Sequence, residues 1–567
     1  MNKIFLAAIA LLSIAAPVSA VAQFYENIPS QAQFAGSSLS SRVPSADLSS
    51  SFAQPYDHII RGNLWNDAMN ANGIRNVIDT AAMALYKPLQ VTGKDGKNKP
   101  LAISYAQGYG TIENGDYRPS WGSGSLWRAG AKAESIMHLK NFSMKGAFGF
   151  EHQEGKDMCA SMFINPGFYP IDIVEYTPGR KTMQTYTFDG AIAVDVADNW
   201  RVGGELDFRG SNYSKRKDLR HVNYGLHILF APSVQYYNDN WAFGLTYILS
   251  KDSENVDAEQ IGTTGDVLYA FIDKGNAYGM FGIWDNSGIH LDEMGVKGFP
   301  INQISNGAAL QYSRGKLFGE LKWLYSNGQA GEKQFIWYKF HSNEFSLKLG
   351  YKINGNHSIR LSGTYFDQTN RESLLDKVTE GGVTTVRFLG SNQIYNRKNH
   401  ILTLQYNYDS RKFDLQFKGG WLAQRSVSNV KYPFSQKSDM KTWMADVNAV
   451  WHFGLIDLGA ELFWGNGSYE LSSWDVDQES GVQSEGDFEI MKYCSDMLYN
   501  AGSRAGGNLS LRFNFKPGLW FEISEGLVCG KSYGNWIYSA DSGNQTLLPE
   551  PDNAQRWHTS LKIGYNF

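Results

Sequence analysis

Residues 200–209 read Trp200-Arg201-Val202-Gly203-Gly204-Glu205-Leu206-Asp207-Phe208-Arg209. Trp200, Val202, Gly204, Leu206 and Phe208 share one parity, while Arg201, Gly203, Glu205, Asp207 and Arg209 share the other. A period of two sends successive side chains to opposite faces of a strand, so this stretch has an apolar, aromatic face and a charged face. The pattern recurs in both directions. Trp127, Ala129, Ala131 and Ala133 alternate with Arg128, Gly130, Lys132 and Glu134, and the same alternation runs through Phe142–Glu151, Phe345–Ile353, Phe413–Trp421, Leu509–Phe515 and Trp557–Phe567. Each run is about 9–13 residues, the length of a tilted transmembrane strand, whereas strands of globular proteins cluster near 5–6.

The connections point the same way. Short turns are expected at Leu139-Lys140-Asn141, Ala197-Asp198-Asn199, Asn238-Asp239, Ser313-Arg314-Gly315, Asn354-Gly355-Asn356, Asp409-Ser410-Arg411 and Lys516-Pro517-Gly518. Between them lie longer polar segments at 153–184, 250–265, 285–303, 326–341, 367–399, 424–441, 466–506 and 530–556. Strict alternation of short and long connections predicts an all-β, transmembrane, antiparallel up-and-down β-barrel, with short periplasmic turns and long extracellular loops. One strand near 101–110, nine hairpins and a last strand give about 20 strands, within two either way.

Composition agrees with that reading. Of 567 residues, 19% are charged and 14% aromatic, and 58 are glycine. The 52 basic and 56 acidic residues leave a net charge of −4 with no basic block, which argues against a nucleic-acid partner. Met1-Asn2-Lys3, an apolar run from Ile4 to Ala16 and the small-residue site Ala20-Val21-Ala22 predict a signal peptide over 1–22. Residues 23–100 are expected to form a periplasmic or plug segment. It comprises a Ser-rich linker over 30–55 and a short helix over 74–86, where Ile74, Val77, Ile78, Ala81, Ala82 and Leu85 recur at helical spacing. The barrel then occupies 101–567.

The C-terminal run Trp557-His558-Thr559-Ser560-Leu561-Lys562-Ile563-Gly564-Tyr565-Asn566-Phe567 resembles the terminal strand of Gram-negative outer-membrane proteins. That resemblance implies an insertion signal, carried here by Tyr565 and Phe567, which the barrel-insertion machinery reads. Together with the exported start, the chain resembles the uncharacterised outer-membrane β-barrel proteins of Bacteroidota-type bacteria. The resemblance implies location in the cell outer membrane, with its lipids as partners, and transfers no catalytic residue. TonB-dependent transporters resemble the chain in strand number, but they carry a larger plug than the segment from Gln23 to Pro100 provides.

Parity assigns the faces. The inward set is Arg128, Lys132, Glu134, Arg201, Glu205, Asp207, Arg209, Glu320, Lys322, Lys348, Arg360, Asp414, Lys418, Asp446, Asp457, Glu461 and Lys562, joined by His227 and His452. Its mixed sign favours a salt-bridged lining over an ion-selective pore. Two girdles of interfacial aromatics are expected: Trp127, Trp323, Trp421, Trp443, Trp464 and Trp557 near outer strand ends, and Trp200, Trp241 and Trp451 near inner ends.

Two patterns with chemical potential weigh against themselves. His558 and Ser560 resemble the His-x-Ser arrangement of outer-membrane phospholipases, but parity points both into the lumen, so no enzyme is expected and no catalytic residue is assigned. Asp475, Asp477 and Glu479 resemble the start of a calcium loop, yet Ser480 and Gly486 occupy the positions of its glycine and closing glutamate, so neither metal nor cofactor is expected. Cys159, Cys494 and Cys529 are an odd set, with Cys494–Cys529 the favoured pair if one forms. The functional expectation is a passive channel or solute-uptake pore. The alternative is a filled barrel that docks a surface lipoprotein or a TonB-dependent transporter.

Overall fold

The structure, a computed structural model, describes residues 90–92, 98–138, 142–238, 241–259, 261, 269–279, 281–285, 298–314, 316–332, 335–353, 357–410, 412–430, 435–472, 483–515, 518–533 and 550–566. The expected signal peptide, the Ser-rich stretch, the 74–86 helix, Asp475, Asp477, Glu479 and Phe567 lie outside those residues. In chain order the strands are β1 (Gln90–Thr92), β2 (Asn98–Gly115), β3 (Ser125–His138), β4 (Phe142–Ser161), β5 (Asp172–Ala197), β6 (Trp200–Lys215) and β7 (Arg220–Tyr237). There follow β8 (Trp241–Glu259), β9 (Tyr269–Asp273), β10 (Phe281–Asp285), β11 (Phe299–Arg314), β12 (Leu317–Glu332), β13 (Phe335–Lys352) and β14 (His357–Glu380). The last are β15 (Val383–Asp409), β16 (Phe413–Ser428), β17 (Gln436–His452), β18 (Ile456–Ser472), β19 (Arg504–Asn514), β20 (Leu519–Ser532) and β21 (Asp552–Asn566), and among the described residues one helix, α1 (Gln483–Ala501), precedes β19.

Each wall strand pairs antiparallel with its neighbours, and β21 returns to β2 in register from Tyr105↔Asn566 to Gly115↔Arg556. This last pairing removes both free edges and closes an 18-stranded barrel of β2–β8 and β11–β21. The count sits at the lower bound of the expected range. The difference comes from residues 269–285, which were counted toward the wall. They form the β9–β10 hairpin instead, and β9 pairs with the far end of β5 through Asp172↔Asp273 and Glu175↔Ala270, while β8 pairs directly with β11.

The wall strands are also longer than the alternating runs, at 11 to 27 residues. Segments 326–341 and 367–399, read as loops, continue the ladder: β12 reaches Glu332 before β13 begins at Phe335, and β14 and β15 meet at Glu380↔Val383. Over 367–399 both faces are largely polar, and at Phe335-Ile336-Trp337-Tyr338 both parities are apolar, so the period-two signal vanishes in each case although backbone pairing goes on.

Burial is inverted relative to a globular protein. On β6, Trp200, Val202, Leu206 and Phe208 are exposed, while Arg201, Glu205 and Asp207 are buried. On β8, Phe243, Leu245, Tyr247 and Leu249 are exposed, and the outward parity turns polar at Lys251. A continuous exposed apolar band thus encircles the wall, far larger than the few hundred Å² that isolated soluble proteins tolerate. No helix among the described residues is long and apolar enough to cross a membrane.

Trp127, Trp200, Trp323, Trp443, Trp464 and Trp557 are exposed on this outer face, and Trp241, Trp421 and Trp451 are half-buried. Trp200 and Trp241 open their strands and Trp451 nearly ends its own. Trp421 and Trp443 are register partners with ring centroids 6.0 Å apart. They and Trp464 lie eight or nine residues from the short-turn ends of their strands. At a rise of about 3.3 Å per residue and a tilt of about 40°, the two rings of tryptophan stand roughly 20 Å apart.

Candidate functional site

Inside the wall, register brings opposite charges face to face, because directly opposed residues on neighbouring strands have Cβ atoms only about 5 Å apart. Glu320 opposes Lys348 and meets it at 3.1 Å, and Glu522 opposes Lys562 at 3.2 Å. Lys322 reaches Glu344 at 2.8 Å, with both side chains almost wholly buried. Glu113 collects Arg128 at 3.1 Å and Arg556 at 3.0 Å, and the imidazole of His558 stands 3.9 Å away. Nearer the short turns, Arg201 pairs with Asp195 at 2.6 Å, and His452 bridges Asp414 and Asp457. Asp446 opposes Lys418 in register.

Of the residues assigned inward, Arg128, Lys132, Arg201, Glu205, Asp207, Glu320, Lys322, Arg360, Asp446, Asp457, Glu461 and Lys562 are buried, and Arg209, Lys348, Asp414 and Lys418 are half-buried. The side chain of Glu134 lies outside the described set. Ser560 meets Thr111 (Oγ–Oγ1 3.3 Å) and His558 faces Glu113, so the two residues of the His-x-Ser pattern have separate neighbours.

The other end of the interior differs. Residues 161–173 leave the β4–β5 wall and cross the mouth. There Met162, Phe163, Phe168, Tyr169, Ile171 and Ile173 pack against Val256, Phe299, Ile301, Tyr338, Phe340, Ile394 and Tyr395 of the surrounding wall. A second cluster joins Tyr499 and Ala501 at the end of α1 to Leu422, Met440, Met444, Phe463, Leu527 and Val528. The β9–β10 connection bridges the two: Ala277 packs with Tyr493 and Cys494, and Lys492 holds Asp273 at 3.2 Å. Arg504 Nη1 donates to the carbonyls of Tyr499 and Asn500, satisfying the end of α1. Inward rings are seated where the facing wall is bare: a Cβ at Gly564 would collide with Trp520, and one at Gly530 with Tyr117.

The family model described as "Family of unknown function (DUF6850)" matches residues 96–567, beginning two residues before β2 and running to the end of the wall. The chain belongs to this family. No curated protein matches the DUF6850 chain in sequence. Among solved structures it is similar to the copper transporter OprC (9% identity, TM-score 0.37, covering 85% of this chain and 84% of that one). It is also similar to the FrpB iron transporter from Neisseria meningitidis in its F5-1 apoprotein form (8%, 0.41, 82% and 81%). A third is the CymD monoaromatic hydrocarbon channel (10%, 0.28, 82% and 88%).

Electrostatics in the cap of this DUF6850 member set it apart from bulk solvent. Burial pushes the Asp172 carboxyl up to about 7, although Lys492 and a hydrogen bond from Ser161 Oγ (2.8 Å) oppose the rise. Burial also works against the charge on Lys492, but Asp273 and Asp496 outweigh it and hold that lysine above its ordinary range. No disulfide joins Cys494 and Cys529, the favoured pair, and burial pushes the Cys494 thiol up to about 11. Among the described residues no group of three or more His, Cys, Asp or Glu is placed to hold a metal ion.

The sequence reading missed the cap. Helix α1 lay inside the segment taken as loop 466–506, yet Met491, Cys494, Leu498 and Ala501 carry a spacing of three and four residues, and Gly502 closes it through an N–H donated to Leu498 O at 2.7 Å. Met162, Phe163, Phe168, Tyr169 and Ile171 lie inside the segment 153–184 expected to be a polar loop, and periodicity carries no statement about where a loop folds.

Proposed function

We propose that the protein is an integral outer-membrane β-barrel that takes up a small polar solute through a lumen whose loop-side mouth is capped. The observation that carries this is the inversion of the wall: large apolar side chains exposed around the band, and charged side chains buried and paired within. Only a lipid annulus makes such an outside stable, and only a wet or ligand-bearing interior makes such an inside useful. In this reading the short turns face the periplasm, Tyr565 and Phe567 serve the insertion machinery, and the tryptophans sit at the two lipid–water boundaries. The segment 161–173, the β9–β10 hairpin and α1 keep the resting channel shut, so transport is gated rather than freely open.

Planar-bilayer recording tests it. The wild-type barrel should conduct weakly and intermittently, whereas deletion of 483–501 should raise conductance at least several-fold. A folded deletion variant that remains silent, or absence of the protein from outer-membrane fractions, would sink the proposal.

One observation favours a second role. Beyond Glu372 and before Tyr395, β14 and β15 pair only with each other, and this free ribbon exposes Leu374, Phe388 and Leu389 well past the apolar band. A surface lipoprotein or TonB-dependent transporter docked there would cover them. Affinity purification from native outer membranes, with and without residues 374–389, separates docking from transport alone.

A further inference from the structure

The free part of the β14–β15 ribbon has two roots. On β14 the root is Glu372, the last residue to pair with β13, opposite Tyr338; on β15 it is Tyr395, the first to pair with β16, opposite Ser428. Both roots touch one short piece of chain, the turn that follows β9. Lys274 Nζ meets Glu372 Oε1 at 2.5 Å, and the same ammonium stands 5.9 Å from the centroid of the Tyr338 ring. The ring of Tyr395 lies over Gly275, where φ is +126° and a Cβ would stand 2.3 Å from Tyr395 Cδ2. Glycine is required there on both counts. One residue further, Asn276 Oδ1 accepts from Ser426 Oγ at 2.7 Å, which fastens β16 to the same turn.

The other side of the turn holds α1. Asp273 Oδ2 lies 3.2 Å from Lys492 Nζ, and Ala277 packs on Tyr493 and Cys494. Lys492 also stands 3.5 Å from Asp496 Oδ2, and Asp496 Oδ1 accepts the Ser120 N–H at 3.0 Å, which ties α1 to the connection between β2 and β3. The turn itself is braced, because Asp273 Oδ1 accepts the N–H groups of Gly275 at 2.9 Å and Ala277 at 3.0 Å. One carboxylate thus holds the turn with one oxygen and α1 with the other. Hydrogen bonds to ionised groups are short and geometrically demanding, so they pass on a displacement rather than absorb it.

Two fasteners that merely stood near each other would act independently. Asp273 and Lys274 are instead consecutive residues, one bonded to α1 and the other to the root of the ribbon. A shift of Glu372 or Tyr395 is therefore a shift of the peptide that carries Asp273. Coupling of this kind runs through contiguous packed and hydrogen-bonded groups, and non-additivity is what establishes it.

We propose that residues 273–277 are a coupling joint between the β14–β15 ribbon and α1: displacing the ribbon's root at Glu372 and Tyr395 loosens the seat of the helix through Asp273 and Lys492. The proposal deepens the docking and capped-uptake readings and rests on them only for its use, since a partner drawn to the ribbon would then act on the cap.

Hydrogen exchange of the full-length barrel in detergent, followed by mass spectrometry, tests the joint. Glu372→Gln removes the charge that holds Lys274, and Asp273→Asn removes the charge that holds Lys492 while keeping an oxygen for the two N–H groups of the turn. Protection of 491–501 should fall about threefold or more in Glu372→Gln while that of β21 is unchanged, the lower end of what coupled neighbours show. In an Asp273→Asn background the same Glu372→Gln change should have almost no further effect. Lys492→Met supplies that background where Asp273→Asn fails to fold, as judged by heat-modifiable gel mobility, and should itself lower protection of the amides flanking Glu372 and Tyr395. Unchanged protection of 491–501 in Glu372→Gln, effects that simply multiply in the double variant, or an equal fall in β21 would overturn the proposal. Exchange is read without a membrane, so coupling in a barrel that never conducts would strike the transport reading only. Conductance in the 483–501 deletion with no coupling would strike the joint only.

Discussion

The two halves of the barrel interior are built on different principles although one wall encloses both. Towards the short turns, opposed strands present Glu320 to Lys348 and Glu522 to Lys562, and each charge finds its partner through register alone. Under the loops, the interior is filled by chain that leaves the wall, and Phe163, Tyr169 and Phe340 pack as a globular core would. Towards the short turns the lining is buried charge matched to opposite charge across the ladder. Under the loops the packing is apolar instead. The difference teaches that register along the wall orders one half of the interior, while segments outside the wall fill the other.

The comparison breaks most visibly if the pairing is disturbed. Glu113→Ala leaves Arg128 and Arg556 without their shared carboxylate in a buried site, and should destabilise the barrel by about 3–5 kcal/mol. Its melting, followed by heat-modifiable mobility, is the measure, and a shift no larger than that of a surface variant would refute the structural role of the triad.

Phe163→Ala should act on the other half only. Truncating a buried phenylalanine costs about 3 kcal/mol or more, here within the cap. Limited proteolysis within 161–173 should accelerate strongly while the melting of the wall stays put. If both move together, cap and wall form one cooperative unit and the contrast fails.

A smaller effect follows from Asp172. Its folded-state pKa is raised, so its contribution to cap stability is fully present below about 4 and is lost as pH rises through about 7. At 1.4 kcal/mol per unit the nominal loss is about 4 kcal/mol, and relaxation around a buried group should leave about 2. Protection of 161–173 against hydrogen exchange, taken relative to the intrinsic rate at each pH, should therefore be higher at pH 4.5 than at pH 7.5, and Asp172→Asn should flatten the dependence. The smallest change is expected at Arg425, whose 3.9 Å contact with Asp439 joins two exposed side chains. Arg425→Ala should alter stability by less than about 0.5 kcal/mol.

Much of the wall was legible because its code is local. The alternation at Trp200–Arg209 reports the two faces of β6 directly, with Trp200, Val202, Leu206 and Phe208 exposed and Arg201, Glu205 and Asp207 buried. Where both faces are polar the signal ceased, so β14 and β15 were read as ending near 367 and 399 although their pairing runs to Glu380↔Val383. Residues 269–285 misled in the opposite sense. Tyr269–Asp273 and Phe281–Asp285 are strands, but they pair with each other, and Tyr269–Asp273 pairs with an extension of β5, rather than with the wall neighbours that chain order implied. The cap was not legible, since Phe163, Phe168 and Tyr169 come from a loop that no period describes.

From sequence alone came the barrel class and the alternation of apolar and polar positions, because both depend on side-chain parity along one strand. Only the tertiary structure decided that 18 strands close, that Glu113 gathers two arginines, and that segment 161–173, β9–β10 and α1 pack together against the wall. Those outcomes depend on which residues distant in the chain meet. Such meetings are settled by the register around the whole ring and by the apolar surface that the crossing segments bury, and neither quantity is written in any single stretch.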